Sequence, residues 1–121
     1  MYLGIDLGTS GVKAIVVDSD QAVRATFTTP LTVSRPRPLW SEQDPAEWWS
    51  ATDAAVRAVL SNLDGHAVEA VGLSGQMHGA TLLADDHTVL RPAILWNDRR
   101  SDGACRQLTA REPRLPAITA S

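Results

Sequence analysis

The sequence predicts an α/β domain built on a mixed sheet with flanking helices. Two short β-branched runs near the start are separated by a glycine-bearing turn too short to hold a helix, and a third run follows at once. A single well-capped helix then leads into a further apolar run. The order is therefore βββαβ: an antiparallel meander, a helical crossover, and a strand returning to the sheet.

Each element has its own signal. Residues 2–6 and 12–18 read as strands, with residues 7–11 (Leu-Gly-Thr-Ser-Gly) as the turn between them. Ser19, Asp20 and Gln21 form a second turn, and residues 22–29 alternate as a third strand. Residues 30–45 read as a loop punctuated by Pro36 and Pro38. Asp44 is a helix N-cap, Pro45 suits the first helical position, and Glu47 completes a capping box. Trp49, Thr52, Val56, Val59 and Leu63 recur at helical spacing, and Asp64 with Gly65 ends the run. Residues 67–74 read as a buried central strand, and residues 75–79 as a turn at its carboxyl end. A hairpin is expected over 80–84 and 88–90 around Asp85, Asp86 and His87, a short strand over 93–96, and a helix over about 99–112. This order resembles the ribonuclease-H-like half of actin-type ATPases.

Bulk properties narrow the function. The 121 residues suit one domain, and 44% hydrophobic with 21% charged residues is ordinary for a globular one. A formal net charge of −3 offers no basic field for nucleic acid or an anionic membrane. Cys105 is the single cysteine, so there is no internal disulfide framework, which fits a reducing cytoplasm. No apolar stretch approaches a membrane span, and no basic and apolar leader precedes the first strand, so a cytoplasmic domain is expected. The last residues carry neither charge nor cap and read as a boundary within a longer protein.

The stretch Gly4-Ile5-Asp6-Leu7-Gly8-Thr9-Ser10-Gly11-Val12-Lys13 is the most informative. It is neither a P-loop nor a dinucleotide fingerprint, and it leads into a strand where both of those lead into a helix. It reads as a glycine-rich hairpin tip whose backbone N–H groups converge on phosphate, with hydroxyls from Thr9 and Ser10. Gly8 and Gly11 allow close approach of the main chain. Asp6, at the end of a strand, is placed to hold a cation, Mg²⁺ through its water shell. Lys13 is a candidate phosphate contact. The alternative is an ordinary hairpin in which Asp6 caps the turn and Lys13 is solvated.

A second cluster, Gly75-Gln76-Met77-His78-Gly79, lies past the carboxyl end of a predicted central strand, where ligands of α/β sheets collect. Gln76 and His78 offer directional polar groups for a sugar or polyol, and Met77 an apolar wall. Trp96, Asn97 and Asp98 add an indole face for sugar C–H bonds and two polar partners. The plainer readings are a surface turn for the first group, and a core Trp96 with a capping Asn97-Asp98 pair for the second. Trp48 and Trp49 read as packing residues, Cys105 as a small packing residue, and His66 and His87 as turn residues without metal-ligand spacing.

Residues 1–13, 35–45 (Arg-Pro-Arg-Pro-Leu-Trp-Ser-Glu-Gln-Asp-Pro), 75–83 (Gly-Gln-Met-His-Gly-Ala-Thr-Leu-Leu) and 91–98 (Arg-Pro-Ala-Ile-Leu-Trp-Asn-Asp) resemble the opening of bacterial xylulose kinases, within the FGGY carbohydrate kinases. The resemblance implies the amino-terminal portion of domain one of a two-domain actin-type fold, and ATP-dependent phosphorylation of the 5-hydroxyl of D-xylulose with ATP and Mg²⁺. It implies that Asp6 serves Mg-ATP, that Met77 and His78 are the sugar-binding pair, and that Trp96 is an aromatic wall. It also places the catalytic base, an aspartate, and the adenosine-binding loops in segments beyond Ser121. A homodimer of the full-length form stays open. So do a kinase of another sugar or polyol such as ribulose, a non-catalytic sugar- or nucleotide-binding fragment, and a plain scaffold domain.

Overall fold

The computed structural model describes residues 1–63 and 67–119; the expected helix stop at Asp64 and Gly65, and His66, lie outside the described residues. Strands β1 (Tyr2–Leu7), β2 (Gly11–Val17) and β3 (Val23–Pro30) form the expected antiparallel meander. Helix α1 (Pro45–Leu60) crosses over, and β5 (Ala70–Gly75) returns parallel to β1, giving the sheet order β3-β2-β1-β5. The register sets Asp6 opposite Lys13 on one side and Ser74 on the other. The carboxyl ends of the parallel pair therefore meet the β1–β2 turn.

Strand alternation builds the core. Leu3, Val12, Ala14 and Val16 point to one sheet face and pack on Ala51, Ala55 and Val59 of α1. The helix begins where expected: the Asp44 carboxylate accepts from Ala46 N at 2.9 Å, and Pro45 lacks a donor that would otherwise be orphaned. Only the backbone of Glu47 joins the cap, donating to Asp44 O at 3.0 Å. The buried stripe keeps the expected Val59, with Val56 and Leu63 packed beside it, but departs at Trp49, which is 75% exposed while Ala51 and Ala55 face the sheet. A flat, close-packed sheet face accepts a methyl where it cannot accept an indole.

The expected loop over 30–45 contains a strand. Glu42–Gln43 (β4) pairs antiparallel with Ala93–Ile94 (β6) as a second, two-stranded sheet. The hairpin around residue 86 is present as a single bridge, Leu83 to Val89. Helix α2 (Asp102–Arg111) buries no residue, so Cys105 is exposed where packing was expected, and α3 (Leu115–Thr119) follows beyond the expected helix. Strand β5, expected to be buried, is exposed along its length. Helix α1 lies over β2 and β3, and no described element covers β5. Among the described residues no helix is long and apolar enough to cross a membrane.

Candidate functional site

The β1–β2 turn closes with Gly8 N donating to Gly11 O at 3.0 Å. A Cβ on Gly11 would lie 2.8 Å from Thr29 O, so only glycine permits β3 to pass this close. The N–H groups of Thr9 and Ser10 donate to no acceptor among the described residues. Asp6 is exposed at the end of β1, and neither its carboxylate nor Lys13 has a hydrogen-bond or ion-pair partner there. Both line an open hollow of about 390 Å³ on the sheet face away from α1, with Gly4, Ile15, Gly72 and Ser74. A free carboxylate, a free ammonium and two free amides suit a phosphate chain with a hydrated cation. No described cluster of three ligating side chains exists, so a cation would be held by Asp6, water and the phosphates themselves, the usual way for Mg²⁺.

Past β5, Gln76 N donates to Leu7 O at 2.9 Å and continues the parallel pairing by one bond. His78 then adopts φ 64°, a left-handed conformation that costs a β-carbon-bearing residue about 1–2 kcal/mol. Gly79 follows against Ile94 O, 3.3 Å from where a Cβ would stand, so a side chain there would crowd the contact with β6. The Ala80–Ile94 bridge ties the loop to β6. Gln76, Met77, His78 and Trp96 line a hollow of about 230 Å³. The first three also line an adjoining one of about 220 Å³ with Trp48, Leu7 and Leu95.

Hydrogen bonds join the two ends. Trp96 Nε1 donates to Thr9 Oγ1 at 3.0 Å, and Thr9 Oγ1 donates to Gln76 Oε1 at 2.9 Å. The indole expected at the sugar end thus rests on the turn expected at the phosphate end. Trp96 is 58% exposed and not the core residue of the plainer reading.

Asn97 and Asp98 part company with Trp96. The Asp98 carboxylate accepts from Ser41 N at 2.6 Å and from Arg100 Nη2 at 2.6 Å, and its side chain is 1% exposed. The Arg100 bond foremost, then the backbone N–H of Ser41, hold its pKa well below the usual carboxylate range. Arg100 also donates to Glu42 at 2.8 Å, as Arg91 does at 3.0 Å, and stacks 3.6 Å from the Trp40 ring centroid. Asp98 lines neither hollow beside Met77 and His78. Asn97 keeps a buried Oδ1 with no partner among the described residues.

Gln43 was not singled out by the sequence. It is 2% exposed, and its Nε2 donates to Thr9 O at 2.7 Å while its Oε1 accepts from Trp48 Nε1 at 3.0 Å and Gln76 Nε2 at 3.3 Å. Trp48 is likewise a polar partner here as well as a packing residue.

The sequence profile of the FGGY family of carbohydrate kinases, N-terminal domain, matches residues 1–120. The chain is 56% identical over 119 residues to a xylulose kinase from Escherichia coli (strain K12), covering 98% of this chain and 25% of the relative. It is 57% identical over 108 residues to a xylulose kinase from Klebsiella pneumoniae, covering 89% and 22%. A crystal structure of a xyloylose kinase from Brucella ovis superposes with TM-score 0.90 at 51% identity, covering 98% of this chain and 25% of that one. The fold is thus the ribonuclease-H-like fold of the actin-type ATPases. The chain spans about a quarter of the length of the curated relatives it matches.

Proposed function

The chain belongs to the FGGY family of carbohydrate kinases, and on that premise we propose that it forms the amino-terminal part of domain one of a cytoplasmic kinase that transfers the γ-phosphoryl group of ATP to the 5-hydroxyl of D-xylulose. The observation that carries this reading is the shared Thr9: its hydroxyl links the glycine turn to both Gln76 and Trp96, so a phosphate cradled by the turn and a sugar in the loop would be neighbours.

Phosphoryl transfer needs alignment and charge neutralisation more than covalent help. The Thr9 and Ser10 amides and Lys13 bind the phosphate chain, Gly8 lets the turn close beneath it, and the Asp6 carboxylate would hold Mg²⁺ through its water shell. Mg²⁺ bound there supplies neutralisation of the charge on the β- and γ-phosphates. Met77 and the Trp96 face pack on the carbon skeleton of the sugar, and His78 and Gln76 hydrogen-bond its hydroxyls. Asp98 serves that surface from beneath, by anchoring the loop through Ser41 and Arg100. Neither carboxylate is assigned as the base: Asp6 faces phosphate and Asp98 is saturated. That proton is accepted by an aspartate of a later segment.

ADP release by the full-length protein, measured over D-xylulose, D-ribulose, D-gluconate and glycerol, tests the reading. D-xylulose is expected to give the highest kcat/KM, and a higher value for glycerol or for D-ribulose would replace the substrate.

A further inference from the structure

We propose that Gln43 is a positioning residue that fixes the spacing between the phosphate turn and the sugar loop, and through it the in-line approach of the sugar hydroxyl. The inference rests on the kinase reading above. Its basis is the hydrogen-bond ring in which Gln43 sits. The Gln43 amide makes four hydrogen bonds: Nε2 to Thr9 O at 2.7 Å and to Thr32 O at 3.4 Å, Oε1 from Trp48 Nε1 at 3.0 Å and from Gln76 Nε2 at 3.3 Å. That is the whole capacity of a primary amide, two donors and two acceptor sites.

The direction of every bond in the ring is set. An indole N–H can only donate and a carbonyl only accept, so Trp48 Nε1 and Thr9 O fix the Gln43 amide with its oxygen toward Gln76; Trp96 Nε1 takes an acceptor site of the Thr9 hydroxyl, which donates to Gln76 Oε1. Gln76 must then turn its Nε2 to Gln43 Oε1, where Trp48 Nε1 also donates. Gln43 Nε2 is left to the backbone oxygen of Thr9, which closes the ring. A reversed Gln43 amide would set its oxygen against the Thr9 and Thr32 carbonyls and its nitrogen against two donors. The residue is 2% exposed, so these bonds are shielded from bulk solvent.

The ring joins three separate stretches of chain: the phosphate turn at Thr9, the β4 strand at Gln43, and the sugar loop at Gln76. Gln43 itself lines neither the hollow beside His78 and Trp96 nor the one beside Asp6, so it acts through Thr9 and Gln76. A residue that sets the distance between two bound substrates governs alignment, and misalignment by about an ångström can cost about a hundredfold in rate. Loss of alignment lowers kcat with little change in the binding of either substrate.

The test is two-substrate kinetics of the full-length kinase with Gln43→Met, which keeps the volume and removes every bond, and with Gln43→Glu, which keeps the acceptor toward Trp48 and Gln76 but sets an oxygen against Thr9 O. Both are expected to lower kcat about 10- to 100-fold while KM for D-xylulose and for ATP each stay within about threefold. A kcat within twofold of the parent in either folded variant would overturn the role, as would a rise in both KM values matching the fall in kcat. Loss of folding in both variants would overturn it too, since Gln43 would then hold the domain together and not the substrates in line. A parent protein that releases no ADP with any sugar would remove the kinase reading, and this inference with it. An active parent with indifferent variants removes this inference alone.

Discussion

Among the described residues the Asp6 carboxylate has no partner; it is exposed at the end of a strand, beside a turn whose Thr9 and Ser10 amides donate to none of them. A group left free there is available to a ligand, and Asp6→Asn in the full-length enzyme is expected to lower kcat at least about a hundredfold, or about 2.7 kcal/mol of barrier, with the fold unchanged. Unchanged kcat in a folded variant, by steady-state kinetics, would remove the phosphate assignment. Asp6, Thr9, Gln76 and Met77 stand out in the sequence as candidates because each sits in a local motif whose meaning depends on a handful of neighbours. Gln43 does not, because the partners that tie it to the site, Thr9 and Gln76, lie 34 residues before it and 33 after it, and no local pattern marks a buried amide. Asp98 was legible as a polar group beside Trp96, but the partner that occupies it, Arg100, shares the same short turn and gave no sign of which way the carboxylate points.

At the scale of elements, the segment from 96 to 100 is held down by charge. The Arg100 guanidinium lowers the pKa of Asp98 from its ordinary value, so the pair adds stability that is fully present above the unfolded-state carboxylate range, near about pH 4. It is lost as pH falls below that range toward the lower folded value. Urea unfolding of the parent and of Asp98→Asn should show a stability gap that is constant between pH 5 and 8 and closes below about pH 4. A gap that widened in acid would contradict the pairing. Asp44→Ala should cost about 1 kcal/mol by the same measurement, through the lost cap on Ala46 N. That helix start was legible because caps are chemical and local. The paired strands β4 and β6 were not, since two residues carry no alternation and their pairing spans fifty positions. The helix face was legible at Val56 and Val59 and misread at Trp49, because large apolar residues weigh most in a periodic reading, whereas the sheet takes Ala51 and Ala55 there.

For the whole molecule, β5 sets the problem. A parallel strand of apolar composition is ordinarily covered on both faces, yet Leu73 is 80% exposed and Val71 55%. The sequence read β5 as buried for that compositional reason, and burial is a property of neighbours that a strand's own residues do not contain. In the 121-residue chain, Leu73→Ser should be neutral within about 0.5 kcal/mol by urea unfolding, as for other exposed sites. In the full-length protein it should cost about 2 kcal/mol or more if β5 is covered there. Equal small effects in both would mean that β5 stays uncovered. On the proposed reading the 121-residue chain alone should also give no sugar-dependent ADP release, because it spans only about a quarter of the length of its kinase relatives.

The central claim is that the loop carrying His78 holds the sugar while the glycine turn holds phosphate, and the steady-state kinetics of His78→Ala in the full-length enzyme test it most directly. Removing one hydrogen bond to a sugar hydroxyl should lower kcat/KM for D-xylulose by about 1–3 kcal/mol, roughly 5- to 150-fold, while KM for ATP stays within about twofold. Equal losses for sugar and nucleotide, or none for the sugar, would contradict the division of labour between the two ends of the site.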